Sequence, residues 1–290
     1  MKRSTRLLPS LIVALAIWTP SPISAQLVEV VPDVVYGHKD GMALTFDVLR
    51  PTVAANGAAV LYMVSGGWFS RYSPPQEVAA RFEPLLDAGF TLFVVRHGSS
   101  PKYVIPEIVA DVRRAVRYIR YHADQWDVDP DRLGVFGGSA GGHLALMLGT
   151  APDEGDPSAE EAFMRESNRV ASVVAYYPPV DLRRLARGVD ASPDVRFPAL
   201  NFDRALAEDF SPLLHVSPDD PPTLLIHGDA DGLVNVSNSQ VIHQAFQEQN
   251  VRTEMIILPG AGHGFEGEDA TRAASAMLDW FIQTLTNSTN

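Results

Sequence analysis

The chain of 290 residues contains no cysteine. Neither a disulfide framework nor a lipoprotein attachment is open to it, and its stability must come from a buried core. Basic residues are also short: 23 Lys and Arg stand against 35 Asp and Glu, a formal net charge of -12. Lys2, Arg3 and Arg6 sit at the extreme amino terminus, so the rest of the chain is more acidic still. A surface of that sign argues against nucleic acid and against an anionic membrane face as partners. It is indifferent to a neutral small molecule. No Gly/Ser linker, low-complexity tract or internal repeat divides the chain, and one large α/β domain fits the length better than two small ones.

The apolar run from Leu7 to Trp18 is too short and too proline-flanked for a good membrane span. With basic residues before it and Ser24-Ala25 after it, it has the three regions of a secretory signal peptide, cleaved after Ala25. Residues 1–25 are therefore expected to be a leader and residues 26–290 the working domain, secreted or periplasmic, with no stable membrane insertion after cleavage.

Val28 to Tyr36 and Met42 to Leu49 read as an antiparallel hairpin around His38-Lys39-Asp40-Gly41. Ala58 to Val64, Phe90 to Val95, Leu133 to Phe136, Val170 to Tyr177, Pro222 to His227 and Thr253 to Leu258 are strand-like apolar runs. Helical spacing falls between them: Gln76 to Ala88, Ile105 to Ala123, Leu144 to Leu148, a stretch around Val241 to Phe246, and Ala270 to Leu285. In the second of these, Ile108, Val112, Ala115 and Ile119 share one face, and Arg113, Arg114, Arg117 and Arg120 the other, which predicts a solvated arginine face. Strands alternating with helices specify an α/β fold: a mostly parallel, eight-stranded sheet with helices on both faces. Pro152 to Arg169 and Arg183 to Leu206 are weakly patterned excursions from it. Sheets of this kind place ligands beyond the carboxyl ends of their strands.

One such end is Gly137-Gly138-Ser139-Ala140-Gly141, a G-x-S-x-G turn from strand into helix. It predicts Ser139 alone at the tip in a strained conformation, with glycines where a Cβ would collide. A dinucleotide fingerprint would need Gly at 139, and a phosphate loop would need Gly-Lys-Ser/Thr, which is absent. A serine hydroxyl needs a base within reach, and the base an acceptor to fix its tautomer. His263, among the glycines of Gly260-Ala261-Gly262-His263-Gly264, leaves the last strand and supplies the base. The acid comes from Asp231, with Asp229 and Asp181 as alternatives that also read as turn formers. Oxyanion donors are expected from the Ala140 amide and from Gly66 and Gly67, after the Ala58 to Val64 strand.

Gly-Gly-Trp after an early strand, Asp111-Val112 opening a helix, Gly137-Gly-Ser-Ala-Gly-Gly-His, His227-Gly-Asp-Ala-Asp231 and Gly262-His263-Gly264 together resemble the α/β-hydrolase superfamily. The branch is similar to esterase/lipase and feruloyl-esterase-like proteins, which neighbour prolyl-oligopeptidase-type peptidases. The resemblance spans nearly all of residues 26–290. It implies an α/β-hydrolase fold with Ser139 as nucleophile, Asp231 as acid, His263 as base, and Gly66 or Gly67 with Ala140 as the oxyanion hole. The His-Gly-Gly-Gly-Trp loop of these esterases becomes Val64-Ser65-Gly66-Gly67-Trp68, without the bracing histidine, and the Trp68 N–H is a further candidate donor. His97 stands where many relatives carry a Tyr-Arg pair, and His143 reads as packing behind the serine.

The function implied is a serine hydrolase acting on small carboxylic esters through an acyl-enzyme, with no cofactor or metal. An exopeptidase on short peptides and a catalytically silent binding protein on the same fold are the alternatives. Trp68, Phe69, Tyr72 and Tyr103 are candidates for an aromatic pocket, or else for packing.

Overall fold

The computed structural model describes residues 28–192 and 196–286, so the expected leader lies outside the described residues. The strands are β1 (Val28–Lys39), β2 (Met42–Pro51), β3 (Ala59–Met63), β4 (Thr91–Val95), β5 (Leu133–Gly138), β6 (Ser172–Tyr176), β7 (Thr223–Gly228) and β8 (Thr253–Leu258). They form a single sheet in the order β1-β2-β4-β3-β5-β6-β7-β8. β1 pairs antiparallel with β2, β2 antiparallel with β4, and the rest run parallel. This is the α/β-hydrolase fold with the strand count the sequence predicts.

The parallel strands are buried on both faces, which is why they are continuous apolar runs instead of alternating ones. In β3, Ala59, Leu61 and Met63 enter one core and Val60 the other. The first core lies under α3 (Ile105–Tyr121), α4 (Ala140–Thr150) and α5 (Ser237–Glu248); the second lies under α1 (Pro75–Arg81), α2 (Glu83–Asp87) and α6 (Gly267–Phe281). Burying a large aliphatic or aromatic side chain contributes about 1.5–3 kcal/mol. Two such layers supply the stability that the chain cannot draw from disulfides.

The structure departs from the sequence expectation at two helices. Gln76 to Ala88 is broken at Phe82 into α1 and α2, because Pro84 falls in the first turn of α2 and has no N–H to continue the ladder. The second departure is the arginine row of α3, which is not a solvated face. Arg117 is only 5% exposed. Its guanidinium reaches the carbonyl of Glu166 and the carboxylate of Asp153, and Arg113 reaches the carbonyl of Ala151. Arg120 holds the carbonyls of Ser167, Pro130 and Arg169. An irregular segment leaves carbonyl oxygens without partners, and a guanidinium offers five fixed donors. The 152–169 excursion is thereby bound to the helix the arginines come from.

Candidate active site

Ser139 stands where β5 turns into α4, at φ +55° and ψ -118°, a conformation that a non-glycine residue holds only under constraint. The flanking glycines are obligatory: a Cβ on Gly137 would lie 2.4 Å from the Gly141 backbone, and one on Gly141 would lie 2.7 Å from the Met63 carbonyl oxygen. The turn presents the hydroxyl above the amino end of α4.

Asp231 follows β7 and His263 follows β8, so all three residues sit at carboxyl ends of parallel strands. Ser139 Oγ lies 3.0 Å from His263 Nε2, and His263 Nδ1 lies 2.7 Å from Asp231 Oδ2. Asp231 Oδ1 accepts the N–H groups of Leu233 and Val234 at 2.8 and 2.9 Å. Burial works against ionising Asp231, but those amides and the His263 side chain outweigh it and hold the carboxyl below the usual carboxylate range. An ionised carboxylate only accepts, so Nδ1 of His263 carries the hydrogen and Nε2 offers its lone pair to the serine hydroxyl.

The competing acids are occupied elsewhere. Asp229 accepts the Gly260 N–H at 2.6 Å, pinning the β7 loop to the β8 loop, and Asp181 pairs with Arg183. His227 is fully buried behind Asp231. Its Nε2 lies 2.8 Å from the Val234 carbonyl and 3.4 Å from Asp231 Oδ2, while Nδ1 faces Ser239 Oγ at 2.7 Å. A carbonyl can only accept, so Nε2 bears the hydrogen, and burial keeps the ring neutral. His227 thus donates towards a carboxylate without adding a charge. Its place directly before Gly228-Asp229 is the one sign of this in the sequence.

On the other side of Ser139, residues Gly66 to Phe69 close a tight turn with Gly67 at φ +58° and Trp68 at φ +62°. The Gly66 N–H donates to the Phe69 carbonyl and the Phe69 N–H to the Gly66 carbonyl, both at 3.0 Å. This corrects the expectation for Gly66, whose amide is spent inside the turn. The N–H groups of Gly67 and Ala140 have no acceptor among the described residues, and Gly67 lines the cavity at Ser139 whereas Trp68 does not.

The histidine absent from this loop is replaced in space by His97, from the exit of β4. His97 Nδ1 lies 2.9 Å from the Gly98 carbonyl, and Nε2 lies 2.9 Å from Ser65 Oγ. The carbonyl again fixes the tautomer: Nδ1 donates and Nε2 accepts the Ser65 hydroxyl proton. Burial pushes the pKa of His97 down to about 4. The Ser65 carbonyl in turn accepts the Gly141 N–H at 3.2 Å, which ties this loop to the serine turn. His143, also pushed down to about 4 by burial, accepts the Trp68 indole N–H at 3.4 Å and donates to the Phe210 carbonyl at 2.8 Å.

The cavity at Ser139 has a volume of about 1080 Å³, slightly above the usual span of about 300–1,000 Å³ for a small-molecule site. Of the aromatics the sequence put forward, only Phe69 lines it. Trp68 and Tyr103 are buried in the core and Tyr72 is 63% exposed. The wall is built instead from Tyr62, Phe82, Phe136, Tyr176, Phe197 and Phe265, together with Tyr177, at φ +36°, whose ring lies 4.6 Å from that of His263. Most of these leave strand ends or come from helices of the second core, a placement that residue spacing does not reveal. Among the described residues, no helix is long and apolar enough to cross a membrane.

The BD-FAE family model matches residues 46–246. Over 260 residues the chain is 29% identical to the probable carboxylic ester hydrolase LipM of Mycobacterium tuberculosis, covering 85% of this chain and 58% of that protein. It is 27% identical over 216 residues to an acetylxylan esterase of Xylanibacter ruminicola, covering 70% of this chain and 40% of that protein. The chain therefore spans well under two thirds of the length of these curated relatives. Among solved structures, a truncated carbohydrate esterase from gut microbiota superimposes with a TM-score of 0.75 at 25% identity, covering 91% of this chain and 99% of the other.

Proposed function

The chain belongs to the BD-FAE family, and from that premise we propose that it hydrolyses carboxylic esters through an acyl-enzyme on Ser139. The observation that carries this reading is the continuous relay from Ser139 Oγ through His263 to Asp231, at 3.0 and 2.7 Å. His263 Nε2 removes the hydroxyl proton as Ser139 Oγ bonds to the ester carbonyl carbon, and Asp231 stabilises the imidazolium. The negative oxygen is met by the N–H groups of Gly67 and Ala140. Collapse breaks the ester C–O bond, the alcohol leaves with the proton from His263, and water then attacks the acyl-serine by the same route in reverse roles. Strain at Ser139 is part of the device, because a relaxed serine would not be held at the tip.

The proposal is tested with a p-nitrophenyl ester series of rising acyl length, alongside Ser139→Ala. Turnover lost in the variant, together with fluorophosphonate labelling of the native serine, supports it. A folded protein that neither turns over any ester nor takes the label would overturn it and leave a silent binding protein. Preferential release of terminal residues from short peptides would favour the exopeptidase. The chain's likeness to a carbohydrate esterase and to an acetylxylan esterase extends the proposal to esters on sugars. Secretion or delivery to the periplasm is proposed from the leader at residues 1–25; amino-terminal sequencing of the exported protein should begin at Gln26.

A further inference from the structure

The walls of the cavity differ in charge from the rest of the molecule. The chain carries 35 acidic residues against 23 basic ones, yet no Asp or Glu lines the cavity, and two arginines do: Arg71 and Arg81. Both are exposed. Among the described residues neither side chain has an ion pair within 4.0 Å or a hydrogen bond. Arg50, Arg96, Arg114, Arg117, Arg120, Arg169 and Arg183 each have a carboxylate within that distance. Other arginines, Arg132 and Arg272 among them, likewise show no ion pair among the described residues; what sets Arg71 and Arg81 apart is that they share a cavity wall that no carboxylate lines.

Their placement is defined by the groups next to them. Arg81 is the last residue of α1, beside Phe82, whose ring lies 5.0 Å from Tyr62 and 5.2 Å from Phe136. Phe136 belongs to β5, the strand that delivers Ser139. Between this guanidinium and the serine the cavity wall is therefore aromatic. Arg71 follows the Gly66 to Phe69 turn and lines the same cavity. Ser73 and Thr271 add hydroxyls to the same cavity. A planar guanidinium matches a carboxylate with two parallel hydrogen bonds, and the lack of competing acids on this wall leaves both arginines available.

Resting on the ester hydrolase reading, we propose that Arg71 and Arg81 form an anion subsite, and that the substrate is an ester carrying a carboxylate away from the scissile bond, with an apolar or ring-sized portion lying over Phe82 and Phe136. The same chemistry is presented by an acyl group that is a dicarboxylic half-ester and by an alcohol that is an acidic sugar.

Matched esters that differ only in a carboxylate or a carboxamide, placed on the acyl group in one pair and on the alcohol in the other, distinguish the two sources. At low salt, kcat/KM for the carboxylate member should exceed that of its neutral partner by about tenfold or more in one pair, and the ratio should shrink in 0.5 M NaCl. In Arg71→Gln combined with Arg81→Gln the ratio should fall towards one. Arg81→Glu should turn the preference towards a trimethylammonium ester. Fluorophosphonate labelling of Ser139 in each variant reports that the site has formed. A ratio of one or less in the native enzyme, or a ratio unmoved by the arginine variants, overturns the subsite and leaves the ester hydrolase standing. Absence of both labelling and turnover in the native protein overturns both.

Discussion

The two flanks of Ser139 are built on opposite electrostatic plans. On one side Asp231 is ionised, with His263 at 2.7 Å, two backbone amides on its other oxygen and His227 behind it. On the other side Ser65 with His97, and Trp68 with His143, form two hydrogen-bonded pairs with no ionised member, and both histidines are pushed down to about 4 by burial. The first flank is suited to moving a proton, and so requires a charge. The second is suited to holding backbone amides still, and a charge there would carry a desolvation cost without a function. Histidine serves both because its two ring nitrogens can donate and accept at once, and the neighbouring carbonyl or carboxylate decides which does which.

Four experiments set the flanks against each other. Ser139→Ala removes the atom both serve and should lower kcat by about 10⁶-fold, with the remaining rate due to binding and the amides. Asp231→Asn keeps the shape of the charged flank but alters the tautomer of His263; kcat should fall by about 10⁴-fold, read in single-turnover kinetics. Ser65→Ala, on the neutral flank, should cost about 10- to 100-fold in kcat, because it removes the hydroxyl that His97 holds and so loosens the turn that carries the Gly67 amide. If Ser65→Ala matches Asp231→Asn, the distinction between the flanks fails.

The fourth experiment is thermodynamic. His97 and His143 have folded-state pKa values of about 4 against 6.5 unfolded. The unfolded chain therefore binds more protons between those values, and stability falls as pH drops through that window. Each ring accounts for about 3 kcal/mol by pH 4. Asp220, held up at about 6 by burial, slopes the other way and offsets part of the loss. Urea unfolding at pH 7 and pH 4.5 should show the decline, and His97→Gln should flatten it. An unchanged slope in that variant would mean that the ring is already solvated in the folded state.

The same contrast separates what was legible in the sequence from what was not. The charged flank falls on motifs, because the serine turn and the strand-exit loops need glycines at fixed spacing, and glycine spacing is visible in one dimension. The neutral flank could not be read in advance. His97 and Ser65 are 32 residues apart, and Trp68 and His143 are 75 apart; their meeting depends on β3, β4 and β5 being neighbours in the sheet. The arginine row of α3 departs from the sequence expectation for the same reason. Its periodicity is right for an amphipathic helix, but periodicity cannot tell whether water or an irregular segment covers the polar face.

By itself the sequence determined the alternation of strands and helices, the double burial of the parallel sheet, and the turn that exposes Ser139, since each is written in local patterns of apolar residues and glycine. Only the tertiary structure decided which acid faces His263, that the Gly66 amide is consumed while that of Gly67 is free, that His97 braces a loop lacking its own histidine, and that two unpaired arginines share an aromatic cavity. Each of those depends on hydrogen-bond partners brought together by strand order, and a hydrogen bond is decided within a few tenths of an ångström, a precision that only the packed sheet supplies.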